Sequence, residues 1–483
     1  MKMYIQRLIW TGCLAAMLSG CSKWLDVQPY DQISEEALSN TEEGFQKQLN
    51  GIYIELNDEA LYGKTLTVEM VEIMGGAYEI GDDALVWSNY PDLKNYNYGT
   101  IYWRDRLDKT WDKAYALILN CNKLLANIEG KQELFTDDNY NIIRGEALAL
   151  RAMLHFDMLR LFGPVYSTNS EMVSIPYYTA ETHSPESLLA ASKVIDNILT
   201  DLKEALILLN NDPVRTLGTR MYSPEDGSSN FLYYRSLRLN YYAVTGLAAR
   251  VSLYAGQKTE ARGYARTVIQ AVDNGIFPFV DRYSVGSVAS DPDRIFSTEV
   301  LFALSNNNRG QLFRDFFSPS RYPNMVFRME TGLLENFIFG GRNGGDIDDF
   351  RCQANWISSG STRYFYKYSD MEETGRIENT MIPLLRTGEM YLILAESQSD
   401  NLSGGTAYVN LLRSKRNVAN IETLTPEGLQ YEYIRELYGE GQLFFMYKRM
   451  NTRILRSATE ADNVPPSNAV FVVPLPETET DNR

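Results

Sequence analysis

Two stretches of the chain repeat one design, a pair of helices with small residues between them. In the first stretch, the apolar spacing predicts helices at 234–254 and 260–272, joined around Gly256. Small side chains stand where these two helices would approach each other, at Gly246, Ala248, Ala261 and Ala265. The same arrangement returns between 389 and 411. A pair of this kind cannot bury its apolar faces alone, so neighbouring pairs must stack.

These pairs resemble tetratricopeptide units, which are helix-turn-helix modules of about 34 residues. Further helices are predicted at 42–62, 137–162 and 184–209. The block 277–373 differs, because Gly, Asn, Ser and Pro are frequent and short strands are predicted only at 299–304 and 364–368. We therefore predict a mainly α fold, a tetratricopeptide-like helical solenoid scaffold with a large irregular inserted lobe and few short strands. The segment 469–474 is predicted to be a further strand or extended strip.

The N-terminus predicts export from the cytoplasm. Lys2 and Arg7 precede an apolar run from Leu8 to Leu18 that is too short to span a bilayer. The sequence Leu18-Ser19-Gly20-Cys21 at the end of this run resembles the lipobox of bacterial lipoproteins, in which the cysteine is acylated and becomes the mature N-terminus. We predict a lipoprotein signal peptide at 1–20 and fatty acylation, such as palmitoylation, of Cys21. The alternative is an ordinary secretory signal in which Cys21 has no role.

The predicted organisation of the mature chain has four parts. A lipidated tether at 21–40 leads into an N-terminal helical region at 41–276, which includes an aromatic loop at 75–103. The irregular lobe at 277–373 follows, and a C-terminal helical region at 374–483 closes the chain.

Charge and composition exclude several classes of function. The net charge is −16, and removal of 1–20 with its two cations would make it −18. Such a surface repels phosphate backbones, so nucleic acid is not an expected partner. Two histidines in 483 residues argue against zinc sites and most histidine-dependent catalysis, and no cofactor is predicted. Cys121 and Cys352 could form one disulfide, but the sequence favours two separate buried thiols.

One acidic turn leaves two possibilities open. Asp346, Asp348 and Asp349 follow two glycines, and their carboxylates could bind calcium, which takes six or more oxygen ligands. A complete set of ligands is not evident in the sequence. A solvated acidic turn is therefore the favoured interpretation, and no metal site is predicted.

The excess of aromatic residues points to a ligand. The chain has 32 Tyr, 20 Phe and 6 Trp, and the loop 75–103 is rich in them. Pyranose rings stack on flat aromatic faces, while their hydroxyls need polar partners. The candidate ligand-binding residues are Trp87, Tyr90, Tyr96, Tyr98, Asp82, Asp83 and Asn89 in this loop, and Trp356 in the lobe. The alternative for any one of these rings is core packing, which we expect for Trp103.

Charged residues within the helical stripes are predicted to be structural. No partner set for catalysis accompanies them, so we expect inter-helix salt bridges from Arg151, Arg250, Arg386, Glu146, Glu389 and Glu396. Trp111 and Asn122 lie on an apolar helix face and are expected to pack in the core.

Five motifs are spread along nearly the whole mature chain. They are Trp111-x-x-x-Tyr115-x-x-Ile118-x-x-Cys121-Asn122, Gly145-Glu146-Ala147-x-x-Leu150-Arg151-Ala152, Leu161-Phe162-Gly163-Pro164-Val165, Arg386-x-x-Glu389-x-Tyr391 and Glu436-Leu437-x-x-Glu440-Gly441-Gln442. Together, and in this order, they resemble the SusD-like (SusD/RagB) family of surface lipoproteins.

The resemblance implies a non-enzymatic nutrient-capture protein. Such a protein is lipid-anchored in the outer membrane facing the cell exterior, binds oligosaccharides or polysaccharide, and passes them to a SusC-like TonB-dependent transporter as its lid. A peptide-binding protein of the same architecture is the first alternative. A surface glycoside hydrolase, which needs two carboxylates across a cleft, is a less favoured one, and a scaffold that binds only a protein partner is a third.

Overall fold

The long helices contact one another in chain order, as expected of a solenoid. The computed structural model describes residues 38–182, 184–227, 229–285, 289–322, 325–341, 345–398 and 402–481; Cys21, His183 and most of the predicted tether lie outside them. The long helices are α1 Glu42–Glu55, α2 Ile101–Ile128, α3 Asn139–Phe162, α4 Ala191–Leu208, α5 Tyr241–Tyr254, α6 Lys258–Asp273, α7 Thr387–Glu396, α8 Thr406–Lys415, α9 Pro426–Leu437 and α10 Leu443–Met450. Each helix from α1 to α7 packs against the next, and α9 packs against α7 and α10.

Short elements fill the connections. The short α-helices are Met70–Met74, Ala84–Trp87, Tyr90–Lys94, Val214–Leu217, Arg282–Val285, Arg309–Phe316, Phe350–Asn355, Asn468–Phe471 and Glu477–Asp481. The 3-10 turns are Gln132–Leu134, Leu209–Asn211, Arg235–Leu237, Ser297–Glu299, Ile377–Thr380, Leu402–Gly405 and Glu460–Asp462, and Leu333–Ile338 is a π-helix.

The irregular lobe is an insertion between two helices that pack together. α6 ends at Asp273 and α7 begins at Thr387, yet the two helices lie side by side. Strand β1 (Val300–Ser305) pairs antiparallel with β4 (Met381–Arg386), which brings the two ends of the insertion together. Strands β2 (Trp356–Ser359) and β3 (Thr362–Phe365) form a hairpin inside it. The predicted mainly α solenoid with few short strands is confirmed.

Two predicted helix starts are wrong for local reasons. α4 begins at Ala191 rather than at 184, because the chain before it is extended and exchanges backbone hydrogen bonds with Ser174 and Ile175. α5 begins at Tyr241 rather than at 234, because Asn240 caps it and accepts from the backbone N–H groups of Tyr242 and Ala243. The strand or extended strip predicted at 469–474 is wrong for 469–471, where Ser467 caps the short helix Asn468–Phe471, whereas the backbone is extended at Val472.

Gly246 has a different neighbour from the one expected. A Cβ at this position would lie 2.8 Å from Cδ2 of Leu385 and 3.1 Å from Cδ1 of Leu301. Small size is therefore required where α5 crosses strands β1 and β4. Ala261 and Ala265 of α6 are fully buried in the core.

The predicted inter-helix salt bridges are present. Arg151 pairs with Asp201 at 2.7 Å, Arg250 with Glu389 at 2.6 Å, and Arg386 with Glu436 at 2.8 Å. Glu146 binds Arg235, and Glu396 binds Arg449. Glu436 also binds Arg351 and Arg416, so one buried carboxylate of α9 ties together lobe, strand β4 and the segment after α8.

Cys121 and Cys352 are both free and buried, as predicted. Burial raises the pKa of each thiol to about 12, so neither is a nucleophile at neutral pH. Among the described residues, no helix is both long enough and apolar enough to cross a membrane.

Candidate functional site

The aromatic segment 75–103 is not an open loop. It contains the helices Ala84–Trp87 and Tyr90–Lys94 and the start of α2. Trp87 is 7% exposed and stacks on Phe327 of the lobe, with ring centroids 6.4 Å apart. Tyr98 is 5% exposed and donates to the carbonyl of Val470 at 2.7 Å. For these two rings the structure shows core packing, because the lobe and the C-terminal segment cover them.

The other predicted residues divide between core and surface. Tyr96 is half-buried, donates to the carbonyl of Met74 at 3.0 Å, and lies under the guanidinium of Arg456. Trp356 is buried between Phe365 and Tyr438, so it belongs to the core of the lobe rather than to an open site.

The polar members of the predicted set lie at the surface. Asp82 and Asp83 are exposed, and Asp82 accepts from the ammonium of Lys94 at 2.9 Å. Asn89 is half-buried, and its backbone carbonyl accepts from the indole N–H of Trp103 at 2.7 Å. Trp103 itself is fully buried, as predicted.

Tyr90 is the member of the set whose half-buried ring is held by a buried carboxylate. Its hydroxyl donates to Oε1 of Glu69 at 2.8 Å, and its ring meets Phe327 edge-on at 5.4 Å between centroids. Glu69 is buried, and it also binds Arg106 and lies 3.8 Å from Nζ of Lys64. Burial, and then the charge of Glu69, raises the pKa of Tyr90, so its hydroxyl remains protonated.

Two more rings extend this area. Phe316 of the lobe is half-buried, stacks on Phe327 with centroids 5.0 Å apart, and carries Lys64 at 5.8 Å from its centroid. Tyr102 on α2 is 39% exposed, with Arg106 5.8 Å from its centroid. We call Lys64, Tyr90, Tyr102, Arg106 and Phe316 the Glu69 surface. It brings three ring surfaces and two cationic donors around one buried carboxylate.

Four residues of this surface were not predicted from the sequence. Phe316 is about 226 positions from Tyr90 in the chain, and no local pattern connects them. Tyr102 and Arg106 are one helical turn apart on α2, which is the spacing at which a cation and a ring meet. This spacing is the sequence signal from which the Tyr102–Arg106 pair could have been predicted.

Two cavities lie elsewhere. One of about 390 Å³ is lined by Trp111, Tyr115, Tyr178, Asp112 and Glu479, among others. Trp111 and Asn122 are buried there, as predicted, and Asn122 donates to the carbonyls of Tyr178 and Ala180. The other, of about 340 Å³, lies between α1 and the segment 230–238.

The acidic turn of the lobe is partly buried. Asp349 is fully buried, caps the helix Phe350–Asn355 and binds Arg351 at 2.7 Å, so it is not a solvated residue. Oδ1 of Asp346 accepts from the backbone N–H of Asp348. Within the described ranges, no three His, Cys, Asp or Glu side chains are grouped to hold a metal ion.

Comparisons with known proteins find similarity to SusD-like proteins. Residues 23–223 match the SusD-like family model described as starch-binding and associating with the outer membrane. SusD-like protein P38 of Formosa agariphila is 24% identical over 85% of this chain and 81% of its own length. SusD-like protein P2 of the same organism is 25% identical over 40% of this chain, and the match spans only 36% of that relative. The chain is thus similar to SusD-like proteins, most specifically over residues 23–223.

Solved structures of SusD-like proteins share the fold over almost the whole chain. A SusD-like carbohydrate binding protein from Bacteroides vulgatus superposes with a TM-score of 0.67 at 19% identity, covering 92% of this chain and 96% of that one. A surface glycan-binding protein A from Bacteroides thetaiotaomicron superposes with a TM-score of 0.61 at 18% identity, covering 92% and 98%.

Proposed function

We propose that this SusD-like protein is a lipid-anchored, non-enzymatic glycan-binding protein that passes oligosaccharides to a TonB-dependent transporter of the outer membrane and acts as its lid. The family description and the names of the two superposed structures support carbohydrate binding as the ligand class. The observation that carries the proposal for this chain is the Glu69 surface. There one buried carboxylate fixes a tyrosine hydroxyl and two cations beside partly open rings.

The chemistry of this surface suits a sugar. The apolar C–H faces of a pyranose can lie on Tyr90, Tyr102 and Phe316, while Lys64 and Arg106 supply donors to its hydroxyls. Because Glu69 neutralises part of the positive charge, the donors need not select an anionic sugar. The predicted residues Asp82, Asp83 and Asn89 lie in the same segment and are proposed as additional hydrogen-bonding groups. The remaining predicted rings are proposed to stabilise the Glu69 surface by packing beneath it and not by contacting the ligand. They are Trp87, Tyr96, Tyr98 and Trp356.

Isothermal titration with a panel of oligosaccharides tests the site. Removal of the ring in Tyr90→Ala is expected to weaken binding at least about tenfold, or about 1.4 kcal/mol. Tyr90→Phe keeps the ring and should retain most of the affinity. Tyr264→Ala removes a half-buried tyrosine of α6 outside the Glu69 surface, and is the matched control.

Three results would contradict the proposal. Heat with a peptide library and none with any glycan would favour the peptide-binding alternative. Release of reducing sugar by the purified protein would indicate a glycoside hydrolase. Equal affinity of Tyr90→Ala and the unchanged protein for a bound glycan would show that the Glu69 surface is not the site.

Anchoring and partnership need their own experiments. Mass spectrometry of the mature protein is expected to find acyl chains on Cys21, and Cys21→Ala should move the protein from the membrane fraction to the soluble fraction. Affinity purification from the native membrane is expected to recover a TonB-dependent transporter. Recovery of an unacylated N-terminus, or of the protein without any transporter, would contradict these parts of the proposal.

A further inference from the structure

The cavity of about 340 Å³ beside α1 has an apolar floor and a polar rim. Tyr53, Phe231 and Leu304 are buried at its floor, whereas the rim residues Asn50, Asn230 and Ser305 are exposed. Its volume falls within the range of about 300–1,000 Å³ that is typical of small-molecule sites. None of its lining residues belongs to the Glu69 surface.

The C-terminal part of α1 and the turn after it supply one wall of this cavity. Asn50, Tyr53 and Ile54 lie on α1, Asn57 lies just beyond its end at Glu55, and all four line the cavity. Ile54 is 68% exposed, although the core side of the same helix is fully packed. Tyr53 belongs to the buried side of α1 together with Leu49 and Ile52, so the cavity lies where this buried side meets the exposed residues Asn50 and Ile54.

The opposite wall is held in a fixed, strained conformation. Tyr234 has a φ of +51°, a left-handed backbone that a tyrosine adopts only when its surroundings impose it. The next residue, Arg235, is fully buried and bound to Glu146 at 2.8 Å and to Asp212 at 2.7 Å. The Tyr234 hydroxyl is within 2.8 Å of the Ser223 hydroxyl. The cavity is thus preformed between rigid elements rather than between mobile chains.

The electrostatics of the lining favour a neutral ligand. Arg238 is the charged residue of the lining, and its guanidinium lies over the ring of Tyr53 at 4.4 Å, with Nε 3.0 Å from Oε2 of the buried Glu146. Its charge is therefore already compensated. The remaining polar side chains of the lining are carboxamides and hydroxyls, which both donate and accept hydrogen bonds, as sugar hydroxyls do.

We infer that this cavity is a second carbohydrate site, which takes a neutral pyranose unit or a short neutral oligosaccharide. The half-buried rings of Tyr233 and Tyr234 and the exposed side chain of Ile54 meet the apolar face of the sugar. The carboxamides of Asn57 and Asn230 meet its hydroxyls. The inference shares the class of ligand with the proposed function, but it depends on different residues.

The test uses the Tyr90→Ala protein, so that binding at the Glu69 surface is removed. Titration with maltose, cellobiose, xylobiose and mannobiose is expected to retain binding of at least one of these neutral disaccharides. Asn230→Ala, at an exposed rim position, should weaken that binding about tenfold, and Ser305→Trp should block it by filling the mouth. Asn120→Ala, an exposed asparagine of α2 outside the cavity, should leave it unchanged. Hydrogen exchange of 230–238 should slow when the sugar is added.

The outcomes separate this inference from the proposed function. If both rim variants bind the disaccharides as tightly as their Tyr90→Ala parent, or if triglycine displaces the sugar, the second site is overturned. If Tyr90→Ala alone leaves all binding intact while the rim variants abolish it, the second site stands and the Glu69 surface is wrong. Loss of all binding in Tyr90→Ala alone overturns the second site and supports the Glu69 surface.

Discussion

Glu72 is fully buried, and its replacement by glutamine probes how this fold responds to pH. Its Oε1 accepts from the backbone N–H of Gly441 at 2.7 Å and its Oε2 from that of Gly439 at 3.3 Å. Burial raises the pKa of this carboxyl from 4.5 to about 8, although the two backbone donors oppose the shift. At neutral pH the folded protein therefore keeps Glu72 protonated.

The sign of the effect follows from proton binding. Between pH 4.5 and pH 8 the folded state holds one proton that the unfolded state releases, so the free energy of unfolding falls as the pH rises. A difference of 8 − 4.5 = 3.5 in pKa corresponds to about 5 kcal/mol over the whole interval, at about 1.36 kcal/mol per pH unit. Between pH 5 and pH 8 the contribution of Glu72 is about 4 kcal/mol.

Glu72→Gln keeps the size of the side chain and cannot ionise. We expect the difference in unfolding free energy between this variant and the unchanged protein to shift by about 4 kcal/mol in favour of the variant between pH 5 and pH 8. Urea unfolding at both pH values, followed by tryptophan fluorescence, measures this difference. Glu427→Gln, on an exposed carboxylate of α9, is the control and should show no such shift. A constant difference between variant and unchanged protein at the two pH values would refute the reasoning.

Three further predictions concern buried groups. Glu436→Gln removes the negative charge that pairs with the three arginines around it, and should lower the free energy of unfolding by about 3–5 kcal/mol. Urea unfolding measures this loss, and a urea midpoint equal to that of the unchanged protein would contradict the stabilising role of Glu436. Burial lowers the pKa of His155 to about 3, so the unfolded state binds a proton at a higher pH than the folded state does. The free energy of unfolding should therefore fall as the pH drops from 6.5 towards 3. His155→Gln should make this pH dependence smaller, as measured by acid unfolding. Cys121 and Cys352 should not react with iodoacetamide at pH 8 until denaturant is added. Mass spectrometry measures the labelling, and rapid labelling of the folded protein would contradict the burial of these thiols.

The helices and their salt bridges could be predicted from the sequence because both depend on short-range periodicity. A charged residue inside an apolar helical stripe has to find an opposite charge on the neighbouring helix, and Arg250 and Glu389 do so at 2.6 Å. Helix starts were less predictable where a connection is long. Nothing near Ser184 indicates that the chain remains extended up to α4, since its hydrogen-bond partners lie at 172–175.

The candidate site was less predictable, because the fate of each ring is decided by distant segments. Trp87 and Tyr90 are three positions apart, yet Trp87 lies flat on Phe327 and Tyr90 meets the same ring edge-on and stays partly open. Tyr98 is closed off by the carbonyl of Val470, 372 positions away. A count of aromatic residues cannot separate these cases.

A local signal for the Glu69 surface did exist, in the acidic residues rather than in the rings. Glu69 and Glu72 interrupt the apolar run from Leu66 to Met74, and a carboxylate in such a run must either become protonated or be paired with donors. The structure contains both solutions. Glu72 meets only backbone N–H groups and keeps its proton, whereas Glu69 gathers Lys64, Arg106 and the Tyr90 hydroxyl. A buried carboxylate that binds side-chain donors fixes them beside its own segment. In such a chain, an acidic residue within an apolar run therefore indicates a binding site better than the number of aromatic residues does.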